Sequence, residues 1–308
     1  MTARSLAILL TATVIGCGGD EAADAENTIV VTEVTDVGFQ TPESVIHDAA
    51  ADAYLVSNIN GAPTDEDDNG FISRVTPDGM VEDIAWITGE SDDVTLNAPK
   101  GMAIRGDTLY VADITCVRMF ARPTGEPAGE VCIDGATFLN DVTVAEDGAL
   151  YVTDSGFNAD FTASGTDAVW RFTPGGQTNS FTSGPQLGNP NGIAFTGDTA
   201  YVVTFGSGEV YSLAPEGTRR VLVAPDIPDR QLDGIAFVNE GGYIFSSWGD
   251  GAVHRVNVAG AVSTVLDSLD APADIGYDAQ RNRVLVPLFN QDMVIWAEVP
   301  PAPAPAAF

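Results

Sequence analysis

The sequence contains little histidine, few basic residues and few cysteines. Its 308 residues include 2 histidines, 13 lysines and arginines together, and 3 cysteines. With only His47 and His254, no histidine dyad can be assigned, and neither a Gly-x-Ser-x-Gly motif nor a Cys-x-x-Cys pair is present. These absences argue against a Ser-His-Asp hydrolase and against a zinc–cysteine cluster.

Positive charge is scarce. The 44 acidic residues leave a formal net charge of −31, and nucleic-acid binding needs a positive face for phosphate contacts. We therefore expect no nucleic-acid partner. A surface this acidic is more often an adaptation for solubility than a functional patch, although it favours cations over anions near the protein. The expected partner is a small-molecule substrate or ligand, and the expected state is a monomer.

The apolar run near the N-terminus is too short to span a bilayer. Residues 1–16 combine one arginine, this run and a small-residue exit, which is typical of a secretory signal. The ending Val14-Ile15-Gly16-Cys17 resembles a bacterial lipobox, which implies cleavage before Cys17 and lipidation of its thiol. The alternative is an ordinary signal peptide with an incidental cysteine. Residues 17–27 then form a flexible tether. We expect an exported protein of the bacterial cell envelope, held to the membrane only by its lipid anchor.

Sustained helical periodicity is absent beyond the signal sequence, and short strand-like segments recur instead. Six copies of one pattern place a polar residue ahead of alternating small and aliphatic residues: PESVI, PKGMAI, LNDVTV, PNGIAF, LDGIAF and ADIGY. The polar residues that lead the copies are 57, 40, 51, 42 and 41 positions apart, a period typical of propellers and solenoids. We call them the lead residues: Glu43, Lys100, Asn140, Asn191, Asp233 and Asp274.

Six blades of four short strands account for residues 28–299 as one domain. The predicted fold class is therefore all-β, a six-bladed β-propeller with almost no helix. Residues 28–34 alternate like a strand, and the last repeat ends one strand short at residues 292–299. Pairing of these two segments would close the ring and leave no open edge. Residues 300–308 form a proline-alanine tail that is expected to be disordered.

Two cysteines remain once Cys17 is set aside. An even number fits a disulfide in an oxidising compartment. Cys116 and Cys132 both fall on the outer strands of the predicted second blade, where a cross-strand bridge would tie its outer edge. The alternative is two buried free thiols.

The lead residues supply oxygen ligands. In a propeller the first strand of each blade lines the central channel, so the lead residues are brought into one ring. Calcium prefers about six to eight oxygen ligands from carboxylates, amide carbonyls and water. Four segments resemble those of the gluconolactonase/regucalcin family and its relatives, the diisopropylfluorophosphatases and paraoxonases: Pro42-Glu43, Leu139-Asn140-Asp141, Pro190-Asn191-Gly192 and Leu232-Asp233-Gly234.

This resemblance implies a six-bladed propeller that hydrolyses a lactone or related ester with a divalent metal in its channel. Calcium is the expected ion, and Asp233 is implied to act as base or nucleophile. The alternative is a non-catalytic propeller that binds a small ligand or partner protein at the cell envelope, with lead residues that cap strands and bind water. The metal ligands implied are Glu43, Asn140, Asn191 and Asp233.

Two features depart from the family pattern. Lys100 leads the second copy, where its ammonium would repel the metal, pair with a channel carboxylate such as Asp274, or take part in catalysis by contacting an oxyanion. The second departure is that no histidine is expected at the mouth of the channel. His47 is expected in the core, and His254 is expected in a hairpin strand. Asp141, beside a predicted ligand, is expected to be structural or to lie behind it, since it points away unless the turn is bulged.

Aromatic residues fall at or after the ends of the second strands, where loops rim the pocket of a propeller. They form either an apolar wall or packing between blades. An acidic loop at residues 64–70 lacks the twelfth-position glutamate of an EF-hand and is expected to be solvated. The aromatic residues are Phe157, Phe161, Phe205, Trp248 and Phe289.

Overall fold

We describe the protein from a computed structural model, which covers residues 29–173, 176–225 and 230–301 and the backbone of residues 4–8. Most of the predicted signal segment, Cys17 with the tether, and most of the C-terminal tail lie outside these ranges. Within them, no helix is both long enough and apolar enough to cross a membrane. Helix is confined to two short 3-10 segments in this part of the chain, at Pro185–Leu187 and Phe289–Gln291.

The strands form six antiparallel sheets, which confirms the predicted six-bladed all-β propeller. Blade 1 contains β3 (Pro42–Asp48), β4 (Ala53–Asn58), β5 (Phe71–Val75) and β6 (Val81–Thr88). Blade 2 contains β7 (Pro99–Arg105), β8 (Thr108–Asp113), β9 (Cys116–Ala121) and β10 (Pro127–Cys132). Blade 3 contains β11 (Leu139–Val144), β12 (Leu150–Asp154), β13 (Ala168–Phe172) and β14 (Thr178–Ser183).

The remaining blades follow the same plan. Blade 4 contains β15 (Pro190–Thr196), β16 (Thr199–Thr204), β17 (Val210–Leu213) and β18 (Arg219–Val223). Blade 5 contains β19 (Leu232–Phe237), β20 (Tyr243–Ser247), β21 (Ala252–Val256) and β22 (Val262–Leu266). Blade 6 contains β23 (Gly276–Asp278), β24 (Arg283–Leu288), β25 (Met293–Glu298) and, from the other end of the chain, β2 (Ile29–Val34).

The ring closes as predicted, because β2 pairs antiparallel with β25, with Val31 opposite Ala297 and Val34 opposite Val294. The backbone of Arg4–Ile8 (β1) pairs on the far side of β2, so this blade has five strands rather than the predicted four. That segment falls within the predicted signal sequence. Cleavage before Cys17 would return the blade to four strands.

The core lies between neighbouring blades. All residues of the second strands β4, β12 and β20 are buried, because both of their faces pack against other sheets. The outer strands β10 and β14 are largely exposed, and β14 is mostly polar. One cluster joins Tyr54 of blade 1 to Leu285 and Trp296 of blade 6, and the other clusters likewise connect adjacent blades.

Each inner strand from blade 1 to blade 5 begins with a β-bulge. The register against the second strand shifts immediately after the first residue of β3, β7, β11, β15 and β19. A bulge places two residues opposite one and re-aims their side chains. The lead residue of each of these blades lies in the bulge, directly after that first residue.

Polar groups at the ends of second strands hold the loop that precedes an inner strand. The carboxylate of Asp113 accepts bonds from the backbone N–H of Asn97 and Ala98 at 3.2 and 2.8 Å. The carboxylate of Asp154 accepts a bond from the Phe138 N–H at 3.0 Å, and the side chain of Asn58 does the same for the Gln40 N–H at 3.1 Å. These bonds fix the approach of the chain to the lead residues.

Cys116 and Cys132 form a disulfide, as predicted, and the alternative of two free thiols is wrong. They lie directly opposite each other on β9 and β10, the outer pair of blade 2. The bridge therefore ties down the exposed outer strand of that blade.

Candidate metal centre

Five of the six lead residues converge on one mouth of the central channel. They line a cavity of about 300 Å³ whose walls also include Pro63, Ile59 and several aromatic residues. All five side chains are buried. The bulged starts of five inner strands thus bring together residues from five blades: Glu43, Lys100, Asn140, Asn191 and Asp233.

Four buried oxygens in this cavity have no hydrogen-bond partner among the described residues. A buried polar atom without a partner is destabilising by about 1–3 kcal/mol, and native structures contain few of them. The four come from two carboxylates and two amides, which are hard ligands of the type preferred by Ca²⁺ and Mg²⁺. This donor set fits a divalent cation. The atoms are Glu43 Oε2, Asn140 Oδ1, Asn191 Oδ1 and Asp233 Oδ1.

Hydrogen bonds behind the cavity fix which way Asn140 points. Its amide nitrogen donates to Ser155 Oγ at 3.2 Å, and that hydroxyl donates in turn to the Pro190 carbonyl at 2.7 Å. The serine oxygen is therefore an acceptor toward Asn140, which leaves the amide oxygen facing the cavity.

Burial raises the pKa of both cavity carboxyls. For Glu43, desolvation is the largest cause of the raised pKa, followed by the negative charges of Asp233 and Asp274, while Lys100 opposes the shift. For Asp233, desolvation again raises the pKa first and Asp274 second, and the neighbouring Trp248 indole opposes it. A bound cation would remove this repulsion, because an opposite charge favours the ionised carboxylates.

Lys100 bonds to main-chain carbonyls. Its ammonium donates to the Pro63 carbonyl at 2.9 Å and to the Ala98 carbonyl at 3.1 Å, and it lies 4.6 Å from the centre of the Phe138 ring. Burial lowers its pKa to about 8, with Glu43 as the main opposing charge. The pairing with Asp274 considered for this lysine is therefore wrong, since no carboxylate among the described residues lies within ion-pair distance of it.

Asp274 and Asp141 lie one level deeper in the channel than the other lead residues and line a separate cavity of about 310 Å³. The backbone of Asp274 forms a parallel bridge with Ser44, and its carboxylate accepts the Ser44 hydroxyl at 2.5 Å. Asp274 is thus level with Ser44 rather than with Glu43, which corrects its expected place among the other lead residues. Asp141 accepts bonds from the N–H groups of Val142 and Ile193, both at 2.7 Å, as expected for a structural role.

Glycines beside the lead residues were missed as part of the site. A Cβ on Gly101 would overlap Asp141, one on Gly192 would overlap the Asp233 carbonyl, and one on Gly234 would overlap the Ile275 nitrogen. Neighbouring inner strands therefore approach each other closely at the height of the bulges. The signal was present as Lys-Gly, Asn-Gly and Asp-Gly dipeptides, which also occur in plain turns.

The predicted aromatic residues all line the cavity, so they form an apolar wall as well as packing contacts. One member, Phe138, was not predicted because it precedes an inner strand instead of following a second strand. We call the six residues the aromatic collar: Phe138, Phe157, Phe161, Phe205, Trp248 and Phe289.

Neither histidine lines this cavity. His47 lies at the opposite end of the channel, where its ring nitrogens are 3.3 Å from Asp278 and 3.3 Å from Asp52. His254 contacts Asp250 at 2.8 Å within blade 5. The acidic side chains of residues 65–68 are exposed, as predicted for a solvated loop.

The fold and cavity define a class: a six-bladed propeller with a buried, oxygen-lined site at one mouth of its channel. Residues 42–275 match the family described as SMP-30/Gluconolactonase/LRE-like region. The chain belongs to this family, which confirms the resemblance seen in the sequence. A search of curated proteins found no match.

Solved structures share the architecture. The gluconolactonase from Xanthomonas campestris has a TM-score of 0.68 and 18% identity, covering 91% of this chain and 94% of its own. Regucalcin from Agrobacterium tumefaciens, described as a calcium-binding protein, has a TM-score of 0.60 and 14% identity, covering 87% of this chain and 93% of its own. Virginiamycin B lyase from Staphylococcus aureus has a TM-score of 0.60 and 14% identity, covering 97% of this chain and 100% of its own. At these identities the likeness concerns the fold alone.

Proposed function

We propose that the protein is a metal-dependent hydrolase of a lactone or related ester. The observation that carries this proposal is the set of four unpartnered oxygens from Glu43, Asn140, Asn191 and Asp233 in one buried cavity. Membership of a family that includes gluconolactonases supports the substrate class. The all-oxygen donor set favours calcium over zinc.

In this proposal four unpartnered oxygens that line one cavity hold the cation. They belong to Glu43, Asn140, Asn191 and Asp233. A divalent cation in such a site polarises a substrate carbonyl and lowers the pKa of water. The chain's own residues complete the chemistry.

Asp233 acts as general base or as nucleophile. As base, it accepts a proton from the attacking water while the water oxygen adds to the carbonyl carbon; the ring C–O bond then breaks and the proton passes to the alkoxide. Lys100 has three N–H donors, of which two bond carbonyls. The third N–H is available to contact the oxyanion. This contact requires the ammonium form of Lys100, which still predominates at neutral pH because the pKa, although lowered, is about 8.

The test combines metal content with turnover. Protein purified without chelator should carry one divalent cation per chain, and chelation should abolish lactone hydrolysis. Asp233→Asn should lower kcat/KM by about 10²–10⁴-fold, because it removes the proton acceptor. Asp198→Asn, at an exposed turn of blade 4, is the matched control and should keep wild-type rates. Activity that survives chelation would overturn the metal-dependent mechanism.

A non-catalytic binding propeller is the second candidate. It is favoured by the absence of histidine from the cavity lining and by the buried lysine beside the carboxylates. Stoichiometric metal without turnover of any lactone, ester or phosphotriester would select this candidate.

We also propose that the protein is exported and anchored through Cys17. The Cys116–Cys132 disulfide supports an oxidising compartment. Labelling with radioactive palmitate in the bacterial host should modify the wild type, and Cys17→Ser should lose both the label and the membrane fractionation. A labelled Cys17→Ser variant would contradict the anchor.

A further inference from the structure

The mouth of the candidate site is surrounded by a nearly continuous series of aromatic rings. Ring centres are separated by 5.7 Å between Phe138 and Phe157, by 6.2 Å between Phe157 and Phe205, and by 5.6 Å between Phe205 and Trp248. Phe289 continues the series at 5.1 Å from Trp248. These residues come from blades 2 to 6 and their connecting loops, so no single element explains their meeting at one place.

Phe161 is the most exposed member of the collar. Its side chain is 52% exposed, and its backbone has φ of 58°, a region that bulky residues rarely adopt. The loop around it is hydrogen bonded: the Phe161 N–H donates to the Asn158 carbonyl at 2.8 Å, and the Ser164 N–H donates to the Gly156 carbonyl at 2.7 Å. The loop thus holds a large apolar ring in solvent beside the cavity, which core packing does not require.

Polar groups in the cavity are confined to its floor. The collar contributes one donor, the Trp248 indole N–H, which lies close enough to the Asp233 carboxyl to oppose the rise of its pKa. The hydroxyls of a sugar lactone would lose their water partners against these rings and gain few bonds in return. An apolar substituent would instead bury surface on them.

Charge at the mouth disfavours anions. Pro63 lines the cavity and leads directly into the exposed acidic residues 65–68. At the floor the proposed divalent cation and the Lys100 ammonium balance the carboxylates of Glu43 and Asp233. The repulsion of anions therefore comes from the acidic loop at the rim, where a substrate with a carboxylate or phosphate substituent would meet like charge as it enters.

We propose that the substrate is a neutral lactone or ester with an apolar alkyl or aryl substituent that is bound by the aromatic collar. This inference rests on the proposed hydrolase function and names its substrate class. Phe161 and Phe157 then determine specificity by covering the substituent, while the reacting carbonyl lies at the polar floor.

The experiment uses the calcium-loaded protein and γ-lactones with alkyl substituents of increasing length, together with a polyhydroxylated aldonolactone of the same ring size. The ratio kcat/KM should rise by about 2–4-fold per added methylene until the collar is spanned. The aldonolactone should be the poorest substrate. Phe161→Ser should flatten the dependence on chain length, Phe161→Leu should restore much of it, and Phe181→Ala, in the outer strand of blade 3, should keep the wild-type profile.

The outcomes separate this inference from the hydrolase proposal. Hydrolysis that is independent of chain length, or fastest for the aldonolactone, would overturn the apolar substrate class and leave the hydrolase standing. If neither lactones nor esters are hydrolysed, the hydrolase proposal fails, and binding decides the inference. Non-hydrolysable lactams of the same series should then quench tryptophan fluorescence with affinity that rises with chain length, and Trp248→Phe should remove the quenching; no binding by the longest lactam would overturn the inference.

Discussion

Single side chains in this protein are given their roles by burial. Glu43 and Asp233 are ordinary carboxyls in sequence, but both lie in a cavity where desolvation raises the pKa of each. Asn140 is given its orientation by a serine behind it. The chemical character of the site therefore depends on what surrounds each residue as much as on its type.

Asp274 offers a direct test of this effect of burial. Desolvation raises its pKa to about 7, whereas an aspartate in an unfolded chain titrates near about 3.9. Between these values the folded protein holds a proton that the unfolded chain has released. The stability that this group contributes is therefore complete below about pH 4 and is lost as the pH rises through about 7.

Asp274→Asn removes the titration and keeps an acceptor for the Ser44 hydroxyl. The free energy of unfolding of the variant minus that of the wild type should be larger at pH 8 than at pH 5, by at least about 1 kcal/mol. Urea unfolding in the presence of chelator at both pH values measures this difference. Asp198→Asn, at an exposed position, should show no such dependence, and an equal response of both variants would contradict the role of burial.

The sequence was sufficient to predict which blades carry Glu43, Asn140, Asn191 and Asp233, because a propeller repeat places equivalent positions around one axis. It was not sufficient for Asp274 or for the partners of Lys100. The level of Asp274 depends on a backbone bridge to Ser44, and the lysine bonds carbonyls whose direction depends on loop conformation. The residue types alone therefore predict neither the level of Asp274 nor the partners of Lys100.

At the level of the strands, the β-bulge at the start of the inner strands of blades 1 to 5 positions the residues of the site. It recurs in five blades and turns the lead residue toward the channel. The four strands of blades 1 to 5, the hairpins and the closing pair followed from alternation and turn residues in the sequence, whereas the fifth strand of blade 6 did not. The bulges did not, because each one lies at the first residues of its strand, before the alternation of polar and apolar residues begins.

Gly192 tests how closely the inner strands must approach. A Cβ at this position would meet the backbone of Asp233 and lie 3.0 Å from a methyl of Val203. Gly192→Ala should therefore lower the free energy of unfolding by about 1–3 kcal/mol and weaken the binding of the proposed calcium ion, because it displaces the strand that carries Asn191. Urea unfolding and titration calorimetry measure the two effects.

The matched control is Gly61→Ala in a surface loop, where a Cβ would lie at an ordinary 3.7 Å from the nearest atom. This variant should resemble the wild type in stability and in calcium binding. Equal behaviour of Gly192→Ala and Gly61→Ala would show that the junction between blades 4 and 5 tolerates a wider spacing.

The complete ring depends on strands from the two ends of the chain. The closing strand β2 buries Val31 and Val34 against β24 and β25, while Val30, which points to the opposite face from Val31, is 59% exposed. Without β2, β25 would become an unpaired edge, and unpaired edges promote association between chains. The stability of blade 6 is therefore tied to a segment far away in sequence.

A pair of neighbouring substitutions tests ring closure. Val31→Asp would place a charge in a site that is 1% exposed, and it should lower the free energy of unfolding by about 3 kcal/mol or more. Val30→Asp makes the same chemical change on the exposed face and should have an effect within about 0.5 kcal/mol. Urea unfolding with size-exclusion chromatography measures stability and association, and similar losses for both variants would argue against closure through β2.

The recurring bulge also has a consequence for engineering. Because the ladder of each inner strand resumes after its bulge whatever side chain the lead residue carries, that residue can be exchanged with little change to the rest of its blade. Glutamate, lysine, asparagine and aspartate already occupy equivalent places in this one protein. A combinatorial library limited to the codons of the five lead residues in this cavity would sample new charge states and coordination shells on an unchanged scaffold, one blade at a time.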